Sequence, residues 1–308
     1  MTPPTVLDPE VASAAALVPF DALNTEILAT LRAALAVDLP PSETVDRIDH
    51  RVPGDPAVPL RVHRTKGASD VLPCAYSMHG GGYVLGSNSF DDPQFEEWCP
   101  ELGIVGVSVD YRLAPETPYP GPLEDCYRGL VWTYEHADEL GIDPDCIGIT
   151  GVSAGGGLAA ALALLARDRG EVPIAFQLLD SPMLDDRQVT PSSRKDDLAV
   201  WSRSSNTFGW QAYLGDLYGR DDVPVTAAPA RATDLSGLPP ALVSVGAVDG
   251  FRDEDIDYAQ RLNQAGVPAE LHVYPGACHG FNVIAPDAAV TKQCKRNIQD
   301  WLRGRLGR

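Results

Sequence analysis

An α/β architecture, a mostly parallel sheet with helices on both faces, is what this sequence predicts, and three observations carry the expectation. Short runs rich in Val, Ile and Leu alternate with stretches of helical spacing from residue 71 onward. These runs are mostly apolar, and their alternation with amphipathic helices implies a mostly parallel sheet. A tight glycine-serine-glycine turn, Gly151-Val152-Ser153-Ala154-Gly155, joins one such run to an alanine-rich helix.

Residues 9 to 36 carry apolar residues at helical spacing around Pro19 and end at "DLPPSET", which reads as helical packing or cap material ahead of the first strand. Two β-like runs follow, "TVDRIDHRVP" and "VPLRVHRT", with the turn residues "GDP" between them; they predict an antiparallel start. Strands are then expected at 71–78, 104–109, 146–150, 174–179, 241–245 and 270–274, with helices near 123–139, 154–168, 252–265 and 287–305. The alternation places helices on both sheet faces, and in such sheets ligands sit beyond the carboxyl ends of the strands. It runs from residue 44 onward without a linker, so one domain with an insertion is expected in the 308 residues. The insertion, from Met183 to about Thr226, is polar but carries Trp201, Phe208, Trp210 and Tyr213. Either those aromatics fill a small core of their own, or they form a lid over a pocket.

A formal charge of -19 excludes a nucleic-acid partner, which needs clustered Lys and Arg. The six cysteines show no C-x-x-C pair, so buried free thiols are expected and not a disulfide framework or a zinc site. The N-terminal stretch lacks the basic and apolar blocks of a signal peptide, and no apolar run nears the roughly 18 residues of a membrane span. The expectation is a cytoplasmic protein with no membrane partner.

Two glycine-rich turns then raise the question of chemistry. In Gly151–Gly155 the glycines permit a sharp strand-to-helix turn that pushes the serine oxygen into the open. A dinucleotide loop would want glycine where Ser153 stands, and it follows the first parallel strand, not the third. A serine needs a base. His50 and His63 fall in the antiparallel start, His136 on a helix and His272 inside a strand, whereas His279 follows the last strand in "PGACHGF" at a carboxyl edge. The base in turn needs an acid. Asp249, just past the penultimate strand, is preferred over Asp180 at the end of the preceding one, while Asp253, Glu254, Asp255 and Asp257 suit the start of a helix. The other turn, Gly80-Gly81-Gly82 after the strand "VLPCAYSM", would let bare amides approach a developing oxyanion. Gly81 and Gly82, with the amide of Ala154, are the expected donors, each contributing roughly 3 kcal/mol to the transition state.

The chain order Ser153, Asp249, His279 is that of the α/β-hydrolases. Together, "HGGGY" (79–83), "DYRLAPE" (110–116), "GVSAGG" (151–156), "VDGFRDED" (248–255) and "HGF" (279–281) resemble the hormone-sensitive-lipase-like branch of that fold, the microbial carboxylesterases of family IV, in order and spacing over nearly the whole chain. The resemblance implies an α/β-hydrolase fold whose helical cap comes from about 1–40 and 183–225, with Ser153, Asp249 and His279 catalytic and Gly81, Gly82 and Ala154 as the oxyanion hole. It implies hydrolysis of small-molecule esters with short to medium acyl chains through an acyl-serine, no metal or cofactor, and room for a homodimer. "DYRLAPE" would support the site from behind, and Tyr83 would either line the pocket or serve as framework. Val152 stands where many members have Asp or Thr, and Gly250 where many have Pro. The alternatives that the same fold serves are an amide deacylase and a non-catalytic small-molecule receptor, the latter disfavoured by the presence of His279.

Overall fold

The computed structural model describes residues 6–18, 22–36 and 39–307. Its strands are β1 (Val45–Val52), β2 (Val58–Thr65), β3 (Leu72–Met78), β4 (Val105–Val109), β5 (Ile142–Val152), β6 (Gln177–Asp180), β7 (Ala241–Gly246) and β8 (Ala269–Tyr274). They form one sheet in the order β1-β2-β4-β3-β5-β6-β7-β8. β1 and β2 are antiparallel, with Val45 opposite Thr65, and β2 meets β4 antiparallel through Leu60 and Val109. From β4 to β8 every neighbour is parallel. The antiparallel start and the parallel remainder are therefore both as the sequence predicts.

Every residue of β3, β4, β6 and β7 is buried, which explains why apolar residues dominate them. Alternate side chains feed two cores: Tyr76, Leu179 and Val243 on one face, Ala75, Leu178 and Leu242 on the other. The edge strand β1 differs, exposing Asp46, Asp49 and Arg51, charges that discourage further strand pairing.

The helices are α1 (Pro9–Ala15), α2 (Thr25–Leu35), α3 (Asp92–Trp98), α4 (Gly121–Glu135), α5 (Ala137–Leu140), α6 (Ala154–Arg169), α7 (Arg203–Leu214), α8 (Arg252–Gln264), α9 (Phe281–Ile284) and α10 (Ala289–Arg305). Small residues make α6 almost wholly buried, so it can lie directly on the sheet: a Cβ on Gly155 would meet the main-chain oxygens of Met78 and His79. In α10 the buried residues Thr291, Cys294, Ile298, Trp301 and Leu302 follow the helical period.

Three differences from expectation have physical causes. α3 was not expected; Pro93 lies in its first turn, and Phe95 fills the space that the missing side chain of Gly106 leaves. β5 begins at Ile142, ahead of the expected 146, because Ile142 pairs with Leu72 before the register shifts between Leu72 and Cys74. His136 caps the junction of α4 and α5 instead of lying within a helix, its Nδ1 2.9 Å from the Trp132 carbonyl oxygen. Pro19, around which the first helical stretch was read, lies outside the described residues.

Cys74, Cys99, Cys126, Cys278 and Cys294 are buried free thiols. Among the described residues no helix is long and apolar enough to cross a membrane. Residues 22–36 dock on α7 and on two loops: Leu23 N donates to Ser205 Oγ, and Arg32 donates to the carbonyls of Val84 and Ala114 and pairs with Glu116.

Candidate active site

Ser153 stands at the end of β5 with φ 58° and ψ -121°, a backbone conformation that a residue with a Cβ adopts only under constraint. The constraint is visible on both sides. Its N–H donates to Asp180 O at 2.8 Å, while its own carbonyl accepts from Gly157 N and Met183 N. A Cβ on Gly151 would run into the backbone of Gly155, and one on Gly155 into that of Met78. The flanking glycines are thus required by main-chain contacts.

Two further loops meet the serine. Asp249 lies just beyond β7, where its Oδ1 accepts from Phe251 N at 3.0 Å. His279 follows β8, and the two loops are stitched together by Val248 N donating to Ala277 O and Ala247 N to Tyr274 O. His279 Nδ1 lies 2.8 Å from Asp249 Oδ2, and Nε2 lies 2.9 Å from Ser153 Oγ. A carboxylate can only accept, so Nδ1 carries the proton and Nε2 is left to accept from the serine hydroxyl. All three residues are buried, at 5%, 3% and 7% exposure in chain order. Burial by itself pulls the imidazole pKa down, but the charge and hydrogen bond of Asp249, aided by Asp180, outweigh it and lift His279 above its ordinary value.

The glycine run lies beside the turn. A Cβ on Gly80 would approach Val152 O and the Ser153 side chain. Gly81 has φ 120°, Gly82 φ 60° and Tyr83 φ 66°, and a Cβ on Gly81 would strike the Leu85 carbonyl. Among the described residues the N–H groups of Gly81 and Gly82 donate to no main-chain partner, while Ala154 opens α6, where its N–H has no partner within the helix. "DYRLAPE" braces this loop: Tyr111 donates to His79 O at 2.7 Å and Ala114 N to Tyr83 O at 2.9 Å.

Tyr83 is buried, its hydroxyl donates to Met183 O at 3.1 Å and its ring stacks on Tyr213 at 4.0 Å. The insertion aromatics divide by position. Trp210 and Tyr213 are fully buried behind Tyr83, whereas the six-membered ring of Trp201 covers Gly82 and lies 6.2 Å from the His279 ring. Val200, just before it, has φ 69°, closed by Trp201 N donating to Ala199 O, a strained seat for a β-branched residue. Phe251 meets His279 edge-on from another side at 5.0 Å.

Two residues near the site escaped the sequence reading. His79 is buried and stacked on Tyr111, with Nδ1 2.8 Å from Gly80 O, and burial drives its pKa down to about 4; it is a neutral brace for the glycine loop. Glu254, expected as a first-turn acid at a helix start, is buried and accepts from the N–H groups of Leu184 and Asp185, fixing the start of the insertion. Among the described residues no cluster of three or more His, Cys, Asp or Glu side chains could hold a metal ion.

The family model for the alpha/beta hydrolase fold matches residues 75–283. The chain belongs to that family. It is 36% identical over 304 residues to carboxylesterase NlhH of Mycobacterium tuberculosis, covering 94% of this chain and 95% of the relative. Among solved structures it is similar to a bacterial heroin esterase, at 42% identity and TM-score 0.90 with 98% of each chain covered. Esterase LipW of Mycobacterium marinum is similar at 34% identity and TM-score 0.86, over 97% of this chain and 96% of that one. The hormone-sensitive-lipase-like resemblance, the α/β-hydrolase fold and the serine ester hydrolase type all hold.

Proposed function

We propose that the protein is a serine carboxylesterase in which Ser153, His279 and Asp249 carry out a two-step acyl transfer. The observation that carries this reading is the unbroken hydrogen-bonded row from Ser153 Oγ through both nitrogens of His279 to Asp249. Ser153 Oγ attacks the ester carbonyl carbon as Nε2 takes the hydroxyl proton; the carbonyl π electrons move onto oxygen, where the amides of Gly81, Gly82 and Ala154 stabilise them. When the tetrahedral centre collapses, the bond to the alcohol oxygen breaks and Nε2 gives that oxygen the proton. Water then repeats the sequence on the acyl-serine, releasing the acid and restoring Ser153. Asp249 holds the tautomer and stabilises the imidazolium.

The segments 1–40 and 183–225 act as the cap over this site. Of these, residues 1–5, 19–21 and 37–38 lie outside the described residues. Burial of Ser153, with Trp201 lying over Gly82 and beside His279, supports a preference for compact acyl groups over long lipid chains. The substitution Ser153→Ala is expected to abolish hydrolysis of p-nitrophenyl acetate while leaving the circular dichroism spectrum unchanged; substantial turnover by that variant would overturn the assignment. Matched ester and anilide substrates separate ester from amide preference.

A further inference from the structure

Asp180 ends β6, yet its contacts reach two of the loops that build the site. Its main-chain oxygen accepts the Ser153 N–H at 2.8 Å, fixing the strained turn from which the nucleophile projects. The residue is 3% exposed and both carboxylate oxygens are engaged: Oδ1 accepts from Ser244 Oγ at 2.7 Å, and Oδ2 accepts from Asn282 Nδ2 at 2.7 Å. Asn282 lies in α9, three residues beyond His279. One residue therefore clamps the serine turn with its backbone and the histidine loop with its side chain, although neither contact touches the reacting atoms.

We infer that Asp180 is a positioning residue for this reaction, holding the His279 loop in register with Ser153 through its carboxylate bond to Asn282. The inference rests on the esterase reading above. Burial raises the Asp180 pKa above the ordinary carboxylate value, and the hydrogen bonds from Ser244 and Asn282 with the charge of His279 oppose that rise and favour the ionised form. The groups facing Asp180 are Ser244 on β7, Asn282 on α9, Tyr274 on β8, Cys294 on α10, and the carboxylates of Asp249 and Asp255 from the β7–α8 side. His279 in turn faces Asp249 and Asp180 as its charged neighbours, with Trp201 and Phe251 as apolar ones. Removing the charge at position 180 thus lowers the imidazole pKa, while removing only the donor at position 282 leaves that charge in place.

Three variants of the full chain test this: Asn282→Ala, Asp180→Asn, and the D180N/N282D double variant, which reverses donor and acceptor. Asn282→Ala is expected to lower kcat for p-nitrophenyl acetate on the order of tenfold through misplacement of the imidazole, with KM unchanged. Asp180→Asn should lower kcat and also shift the NMR-measured His279 pKa down by at least about half a unit. The double variant should recover most of the turnover lost in Asp180→Asn. Turnover of Asn282→Ala within about twofold of wild type, a range that leaves no tenfold misplacement to explain, would overturn the proposal, as would a His279 titration in Asp180→Asn superimposable on wild type. If the wild-type chain hydrolyses no ester, the esterase reading falls on its own, and the His279 titration still decides whether Asp180 governs that imidazole.

Discussion

The indole of Trp201 occupies the space that a side chain at Gly82 would need, inside van der Waals distance of where that Cβ would stand. A residue of the insertion thus rests directly on a glycine expected to donate to the oxyanion. Two outcomes follow. Gly82→Ala, at a φ of 60°, must displace both the backbone and the indole, and loss of that donor is expected to lower kcat about 100-fold. Trp201→Ala opens the roof: kcat/KM for p-nitrophenyl hexanoate relative to acetate should rise about tenfold, within what one or two accommodated methylenes contribute. An unchanged chain-length profile in Trp201→Ala would mean that its bulk does not face the acyl group.

The bond between His279 Nδ1 and Asp249 gives the pH profile a definite sign. Nε2 must be unprotonated to take the serine proton, so activity rises with pH through the His279 pKa. Because Asp249, chiefly by its charge, lifts that pKa above the ordinary imidazole value despite burial, the acid limb of kcat/KM should lie above pH ~6.5. Asp249→Asn should move the limb down and lower kcat by about 10⁴, since the wrong tautomer is then favoured. Asp180→Asn should cost far less; the reverse ranking would transfer the acid's role.

Arg32 offers a separate test of how the N-terminal segment is held. It donates to Val84 O and Ala114 O, each at 2.8 Å, and forms a two-pronged pair with Glu116. Glu116 is 62% exposed, so water screens the ion pair and it contributes at most about 1 kcal/mol. The bonds to main-chain oxygens, made by a charged donor, are the stronger ones. Chemical denaturation should therefore show Arg32→Ala destabilised by about 2 kcal/mol and Glu116→Gln by less than half of that. Equal losses would place the stabilisation in the ion pair.

How much of this was legible in sequence depends on the range of the forces involved. β3, β4, β6 and β7 declare themselves because a strand buried on both faces is mostly apolar, and Gly151 and Gly155 because only a residue without a Cβ fits against the opposing backbone. His279 and Asp249 followed from topology, since strand ends in a parallel sheet share one edge. The tie between Asp180 and Asn282 spans 102 residues, and no local pattern marks it. Nor does spacing say which of Trp201, Trp210 and Tyr213 faces the serine turn. Acids in the first turn of a helix look alike whether solvated or buried, which is why Glu254 and Asp255 were read as ordinary dipole partners. α3 was missed for a related reason: its core contacts, Phe95 and Trp98, are only two residues in a short segment otherwise polar.

Asp255 carries the last prediction. It is fully buried on α8, and among the described residues neither carboxylate oxygen has a hydrogen-bond partner. Burial first, then the nearby charges of Glu254, Asp249 and Asp180, push its pKa well above the ordinary value. The folded protein therefore holds a proton at Asp255 that the unfolded chain releases once pH passes about 4. Where the native state binds the extra proton, stability falls as pH rises, by about 1.4 kcal/mol per pH unit for each such group, until the folded-state pKa is passed. Glu254 has the same sign. Asp255→Asn keeps the shape and removes this ionisation, so thermal unfolding between pH 5 and 8 should show wild type losing stability faster than the variant, with the curves diverging toward alkaline pH. Parallel curves would mean that the carboxylate is ionised in the folded protein and that a compensating charge or bound water lies against it.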